Sequence, residues 1–172
     1  MKKNKRGQFY FIAVIVLVSV FLGLVTLRNQ SNLPHHLSLN SEKEQLNLEI
    51  SSLLDYFSHE KVTNQKEILL NFSNFSIQKV GEDKNSFFVF GDLPDITLFG
   101  NKLNETSLFV KYDSTNEEIT NEGIFQKDYT LSGDNLNLTL DEIEYNFVFY
   151  EGENIYYLIK YIYNNQTFII TE

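Results

Sequence analysis

A run of nineteen uncharged residues, Phe9 to Leu27, constrains this chain more than any other feature in it. As a helix rising ~1.5 Å per residue it would extend about 28 Å, close to the ~30 Å hydrocarbon core of a bilayer. Its Ile, Leu, Val and Phe side chains each favour insertion by roughly 0.3 to 0.6 kcal/mol, several kcal/mol together. Tyr10, Ser19 and Thr26 supply its few polar groups. The run therefore reads as a membrane helix over 8–28, with a basic leader at 1–7 before it.

Charge divides sharply around that run. Lys2, Lys3, Lys5 and Arg6 precede it, Arg28 follows it, and residues 1–28 hold no acid. The rest of the chain keeps nine lysines, no arginine and all 23 acids, a net charge of −14. The positive-inside bias places the N-terminus in the cytoplasm and the C-terminal part outside. An acidic, arginine-free domain lacks the footprint that a phosphate backbone requires, so nucleic acid is not an expected partner. With no cysteine, the domain has to fold on its core alone, without disulfides, thiol catalysis or cysteine metal sites.

Beyond the run, residues 29–62 read as a linker and an amphipathic helix. Pro34 would break a continuing helix. Ser41-Glu42-Lys43-Glu44 has the form of a capping box, which starts the next helix at Ser41. Leu46, Ile50, Leu53, Leu54 and Phe57 then fall on one helical stripe ending near His59. From about residue 63 to 172 the texture becomes β. "ILLNFSNFSI", "SFFVFG", "TSLFVKY", "DYTLSG", "LNLTL", "EYNFVFYEG", "NIYYLIKYIY" and "QTFIIT" are short β-branched and aromatic runs between Gly, Asn, Asp and Ser. Leu136, Leu138 and Leu140 alternate with polar neighbours, as do Tyr145, Phe147 and Phe149. Residues 144–171 read as a three-strand meander with turns at Glu151-Gly152-Glu153-Asn154 and Asn164-Asn165, and "YYLIKYIY" as an internal strand. The expected fold is a mainly β, antiparallel, sandwich-like domain carried on two N-terminal helices.

No catalytic constellation accompanies this pattern. There is no Gly-x-Ser-x-Gly elbow, no defensible Ser/His/Asp order and no phosphate-cradling glycine loop. His35, His36 and His59 do not have the arrangement of a metal site, and no cofactor is implied. "GEDKNS", "DSTNEE" and "SGDNLN" offer oxygens but lack calcium-loop spacing. The 15 Phe and 10 Tyr fit a β core, with a tyrosine face at Tyr156, Tyr157, Tyr161 and Tyr163 as the competing reading. Six Asn-x-Ser/Thr sequons occur, at Asn29, Asn71, Asn74, Asn104, Asn137 and Asn165. In an external domain all but the membrane-proximal Asn29 are candidate N-glycosylation sites.

The seam between tip and run is Lys5-Arg6-Gly7-Gln8, followed by Phe9. A removable secretory signal would have a shorter apolar centre and a small-residue cleavage site after it, and neither is present. An uncleaved anchor and a cut on the cytoplasmic side both remain. The seam resembles the class III signal peptides of type IV pilin-like proteins, especially the archaeal ones. That resemblance implies cleavage by a prepilin-type peptidase between Gly7 and Gln8. It also implies an assembly helix bearing Phe9, Phe11, Ile12, Leu17, Phe21 and Leu24. Ile12 stands where many pilins carry a glutamate, which fits a minor pilin-like or pseudopilin-like subunit better than a major one. Such a protein would be a single-pass surface protein, assembling with pilin-like subunits into a filament or priming one, with an adhesion role open. The alternative is a non-polymerising, membrane-anchored binding module.

Overall fold

The structure, a computed structural model, describes residues 35–60, 62–152, 154–163 and 166–171. Two helices precede nine strands. They are α1 (His35–His59) and α2 (Gln65–Val80), followed by β1 (Asn85–Asp92), β2 (Asp95–Lys102), β3 (Leu108–Tyr112) and β4 (Thr115–Glu118). The remaining strands are β5 (Gly123–Thr130), β6 (Asn135–Leu140), β7 (Ile143–Val148), β8 (Asn154–Tyr163) and β9 (Gln166–Thr171). The strands form a five-stranded sheet ordered β5-β2-β1-β8-β9 and a four-stranded sheet ordered β4-β3-β6-β7. Every pairing is antiparallel. This is a mainly β, two-sheet domain with two helices.

The sheets bury one core between them. Phe87, Val89, Leu98 and Leu158 from the larger sheet meet Val110, Leu136, Leu138 and Phe147 from the smaller. The alternation seen in β6 and β7 is therefore the inward face of the four-stranded sheet. The larger sheet is covered on its other face too. There Phe88 and Tyr157 lie on the side opposite the core, Phe72 of α2 packs edge-on against Phe88, and Tyr157 hydrogen-bonds Asn47 of α1. Burial on both faces explains why Phe87, Phe88, Val89 and Phe90 are all enclosed and β1 reads as an unbroken apolar run.

Contacts between the sheets fix their stacking. β5 meets β4 and β3 through the Lys127–Glu117 ion pair and the Tyr129–Tyr112 ring contact. β8 meets β7 through Tyr156 and Phe147, whose ring centroids lie 5.4 Å apart. Five strands thus face four, and β9 extends beyond the smaller sheet.

Three expectations are corrected. "ILLNFSNFSI" is helix, not strand. Its buried residues Leu69, Ser73, Ser76 and Ile77 form a helical stripe, and two of them are serines, so the apolar period is concealed. Gly81 ends α2, its N–H donating to the Ile77 carbonyl at 2.9 Å. The helix expected from Ser41 already includes residues 35–40, since no Gly or Pro interrupts His35 to Ser41. Its stripe is as expected, with Leu46, Ile50 and Phe57 buried and Leu53 and Leu54 half-buried. Finally, residues 144–171 are not one meander. β7 pairs with β6 in the smaller sheet, while β8 pairs with β1 and β9 in the larger. The Glu151-Gly152 turn crosses between sheets, a difference that local turn chemistry does not encode. β8 is internal as expected, flanked on both sides.

Close packing also explains one glycine. Gly100 lies opposite both Phe87 and Phe125, whose rings meet across it with centroids 6.2 Å apart. A Cβ there would stand 2.5 Å from Phe87 Cδ1 and 2.8 Å from the Ser86 carbonyl oxygen. Gly100→Ala is expected to destabilise the domain by about 1–3 kcal/mol, because backbone as well as ring must shift. A urea midpoint lowered at unchanged slope would verify it.

Candidate functional site

The processing pair Gly7-Gln8 and the anchor residues Phe9, Phe11, Ile12, Leu17, Phe21 and Leu24 lie outside the described residues, as do Asn29 and Asn165. Among the described residues no helix is long and apolar enough to cross a membrane. Four sequons remain. Asn71 is exposed on α2, and Asn74, one turn on, is half-buried. Asn137 is internal to the smaller sheet. Its amide donates to Glu144 Oε1 at 2.7 Å, and its carbonyl oxygen is enclosed without a partner. Asn104 differs in lying exposed in the β2–β3 connection. That loop is fixed from below by buried Asn85, which donates to Thr106 Oγ1 at 2.9 Å and accepts the Leu103 N–H at 2.8 Å. Of these four, Asn71 and Asn104 leave the most room for a glycan.

An open cleft of about 540 Å³ lies where α2 begins beside the β1–β2 hairpin and the end of β5. The hairpin is tight. Gly91 has φ 140°, and a Cβ there would stand 2.4 Å from the Asp95 carbonyl oxygen. Three carboxylates reach the cleft, and each already has a protein donor. Asp128 accepts from Thr97 Oγ1 at 2.7 Å and Lys66 Nζ at 2.9 Å. Asp95 accepts from Thr130 Oγ1 at 3.0 Å, and Asp92 from the Gly152 N–H at 3.1 Å. Partial burial works to raise the Asp128 pKa, but the bonds from Lys66 and Thr97 outweigh it and hold the carboxyl below its usual range. The arrangement fastens the start of α2 to β2 and β5.

A second recess, about 300 Å³, has Asp141 and Lys160 in its wall and Asn104 at its rim. Asp141 and Glu142 form the two-residue β6–β7 turn, both at positive φ, 45° and 71°. Aspartate is among the few residues besides Gly and Asn that tolerate this backbone, and Asp141 is held from several directions. Its carboxylate accepts the Ser107 N–H at 2.9 Å and forms an ion pair with Lys160 of the opposite sheet. Its own N–H donates to the Ser107 carbonyl at 3.1 Å. Partial burial acts to raise the Asp141 pKa, but the bonds from Lys160 and Ser107 prevail and lower it. No sequence motif marks Asp141, Lys160 or Asn85. A two-residue gap between "LTL" and "IEY" is the only local sign of the turn, and nothing local identifies Lys160 as its partner.

The oxygen-rich turns and the tyrosines resolve into structural roles. Residues 113–118 turn and continue as β4, and the Asp113 carboxylate accepts the Ser132 N–H at 3.0 Å and the Gly133 N–H at 3.2 Å. Among the described residues no three His, Asp or Glu side chains converge as metal ligands. Tyr157 and Tyr161 are buried, and Tyr156 is half-buried, its hydroxyl donating to the Val148 carbonyl. The core reading is therefore the better one for these three, while the side chain of Tyr163 lies outside the described residues. Burial, reinforced by the Glu117 charge, pushes the Tyr129 phenol well above its ordinary range, so it stays neutral. Comparison with known proteins returns no matching family model, no matching curated protein and no matching solved structure.

Proposed function

We propose that this chain is a minor pilin-like or pseudopilin-like cell-surface subunit. It is inserted with its N-terminus in the cytoplasm and cut between Gly7 and Gln8. Phe9 to Leu27 then anchors it and packs with the same segment of other subunits, while the acidic β domain is displayed outside. The role is structural, in building or priming a filament, with adhesion through the displayed domain. The observation that carries this reading is an order of parts. An uncharged nineteen-residue run is followed by a helix, α1, whose Leu46, Ile50 and Phe57 are buried and whose Asn47 meets Tyr157 of the β domain. That is the plan of an apolar assembly helix continued by an amphipathic helix and a β-rich head.

The cut also has a physical purpose. Lys2, Lys3, Lys5 and Arg6 hold the span at the cytoplasmic face, and removing them frees the helix to leave the bilayer. Gly7→Val is expected to abolish the cut and to remove the protein from sheared surface filaments while leaving it in the membrane fraction. Wild-type protein found only in membranes, with its leader intact, would favour the anchored binding module instead.

A further inference from the structure

We propose that the outer face of the smaller sheet binds a neutral glycan, in a shallow recess of about 350 Å³ lined by Phe109, Lys111, Asn116, Thr139, Glu142 and Glu144. Register builds this face. Leu136, Leu138 and Leu140 turn inward to the core, so the alternate residues of β6 and their strand partners turn outward. Two rows cross the four strands, Glu118-Phe109-Thr139-Glu144 and Asn116-Lys111-Asn137-Asn146. Among the described residues nothing covers them: Lys111, Asn116, Glu118, Glu144 and Asn146 are all exposed. What sets the face apart is that its polar groups are unused. In the cleft beside α2 and the recess at Asp141, the carboxylates are already bonded to protein donors. Here, among the described residues, the side chains of Lys111, Asn116, Thr139 and Asn146 make no hydrogen bond or ion pair. Asn137 is the exception. Its bond to Glu144 Oε1 at 2.7 Å orients that carboxylate and leaves the second oxygen to accept.

The ligand class follows from the mixture of groups. Asn116 and Asn146 each offer donors and an acceptor, Thr139 offers both, Lys111 donates and Glu144 accepts. The hydroxyls of a sugar need both kinds close together, and neighbouring strands set these side chains about 4.8 Å apart. Phe109, half-buried in the recess, gives the apolar C–H face of a sugar ring a surface to rest on. A few polar groups around an aromatic ring are the usual make-up of a small-molecule site. Charge then selects among sugars. Glu118, Glu142 and Glu144 outnumber Lys111 on this face, so sulfated, phosphorylated and uronic chains are repelled. The inference gives the proposed adhesion a surface and a ligand class. It rests on that reading only for where the glycan is met.

The test is calorimetric titration of the full chain, held in nanodiscs of zwitterionic lipid, with neutral hexasaccharides of glucose, mannose and N-acetylglucosamine. At least one is expected to bind with a dissociation constant on the order of 10⁻⁴ M, as suits a shallow site. Raising NaCl from about 0.05 M to about 0.5 M should change that affinity by less than about twofold, because the ligand carries no charge. Asn116→Ala and Lys111→Ala should each weaken binding about fivefold, through loss of one hydrogen bond. Asn71→Ala, at an exposed asparagine on α2, should not. Neither Asn116 nor Lys111 has a side-chain partner to lose, so both variants should keep the wild-type urea midpoint. Binding of none of the three sugars would overturn the inference, as would equal binding by wild type, Asn116→Ala and Lys111→Ala. So would a preference for the cationic glucosamine hexamer that salt abolishes, which would mark general attraction to an acidic domain. The fate of the leader is separate. Binding by protein with its leader intact keeps this inference without the filament, and a cut after Gly7 with no binding does the reverse.

Discussion

Phe87→Ala is expected to destabilise the domain by about 3–5 kcal/mol, enough to unfold much of a marginally stable protein at physiological temperature. Phe87 is fully buried at the centre of the five-stranded sheet. Its ring meets Phe125 across Gly100 and shares the core with Leu136 and Leu138 of the opposing sheet. Truncation removes apolar area and leaves a cavity that neighbours hydrogen-bonded into strands cannot close. Phe75→Ala is the matched control. Phe75 is 62% exposed on α2, and its loss should change stability by no more than about 0.5 kcal/mol. Urea unfolding of both variants separates the cases, and equal midpoints would contradict the placement of the core.

The second large effect is expected at Asp141. Asp141→Ala should cost about 2–4 kcal/mol, combining three losses. Lys160, its side chain only 12% exposed, is left without its anion. The Ser107 N–H loses its acceptor. Alanine must also hold φ 45°, a conformation asparagine tolerates better. Asp141→Asn separates these effects, retaining the turn and a polar acceptor while removing the charge, and should cost clearly less. The pH dependence has a fixed sign. Because the folded-state pKa lies below the ordinary carboxylate value of about 3.9, the pair's contribution is complete above that value. It is lost as pH falls through the lowered folded pKa. Stability measured from pH 6 down to pH 2 should therefore fall less steeply in Asp141→Ala than in wild type. An identical acid limb in both would show that Asp141 is not the coupled group.

How legible these features are depends on whether the cause is local. Alternation of Leu136, Leu138 and Leu140 discloses β6 because one face of that sheet is wet. The stripe Leu46–Ile50–Phe57 discloses α1 because one face of that helix is buried. α2 is concealed because its sheet-facing side uses Ser73 and Ser76, small enough for close approach but silent in a hydrophobic period. β2 is concealed because Pro94 precedes it and Gly100 interrupts it, and the reason for Gly100 appears only in the assembled sheet. β4 is four polar or acidic residues at an edge, with no signal distinguishing it from a turn. The exchange of β7 and β8 between sheets is a property of topology, as is the meeting of Lys160 with Asp141. Sequons and charge runs can be read directly, but their accessibility cannot. Asn137 and Asn104 look alike in the chain, and only the fold places one inside a sheet and the other on an exposed loop.

The pilin-like reading turns on a single peptide bond, and the intact mass of the protein purified from its own membranes tests that bond directly. A mature chain beginning at Gln8, and a full-length mass restored by Gly7→Val, are the predicted results. Wild-type protein that keeps Met1 to Gly7 would contradict the account.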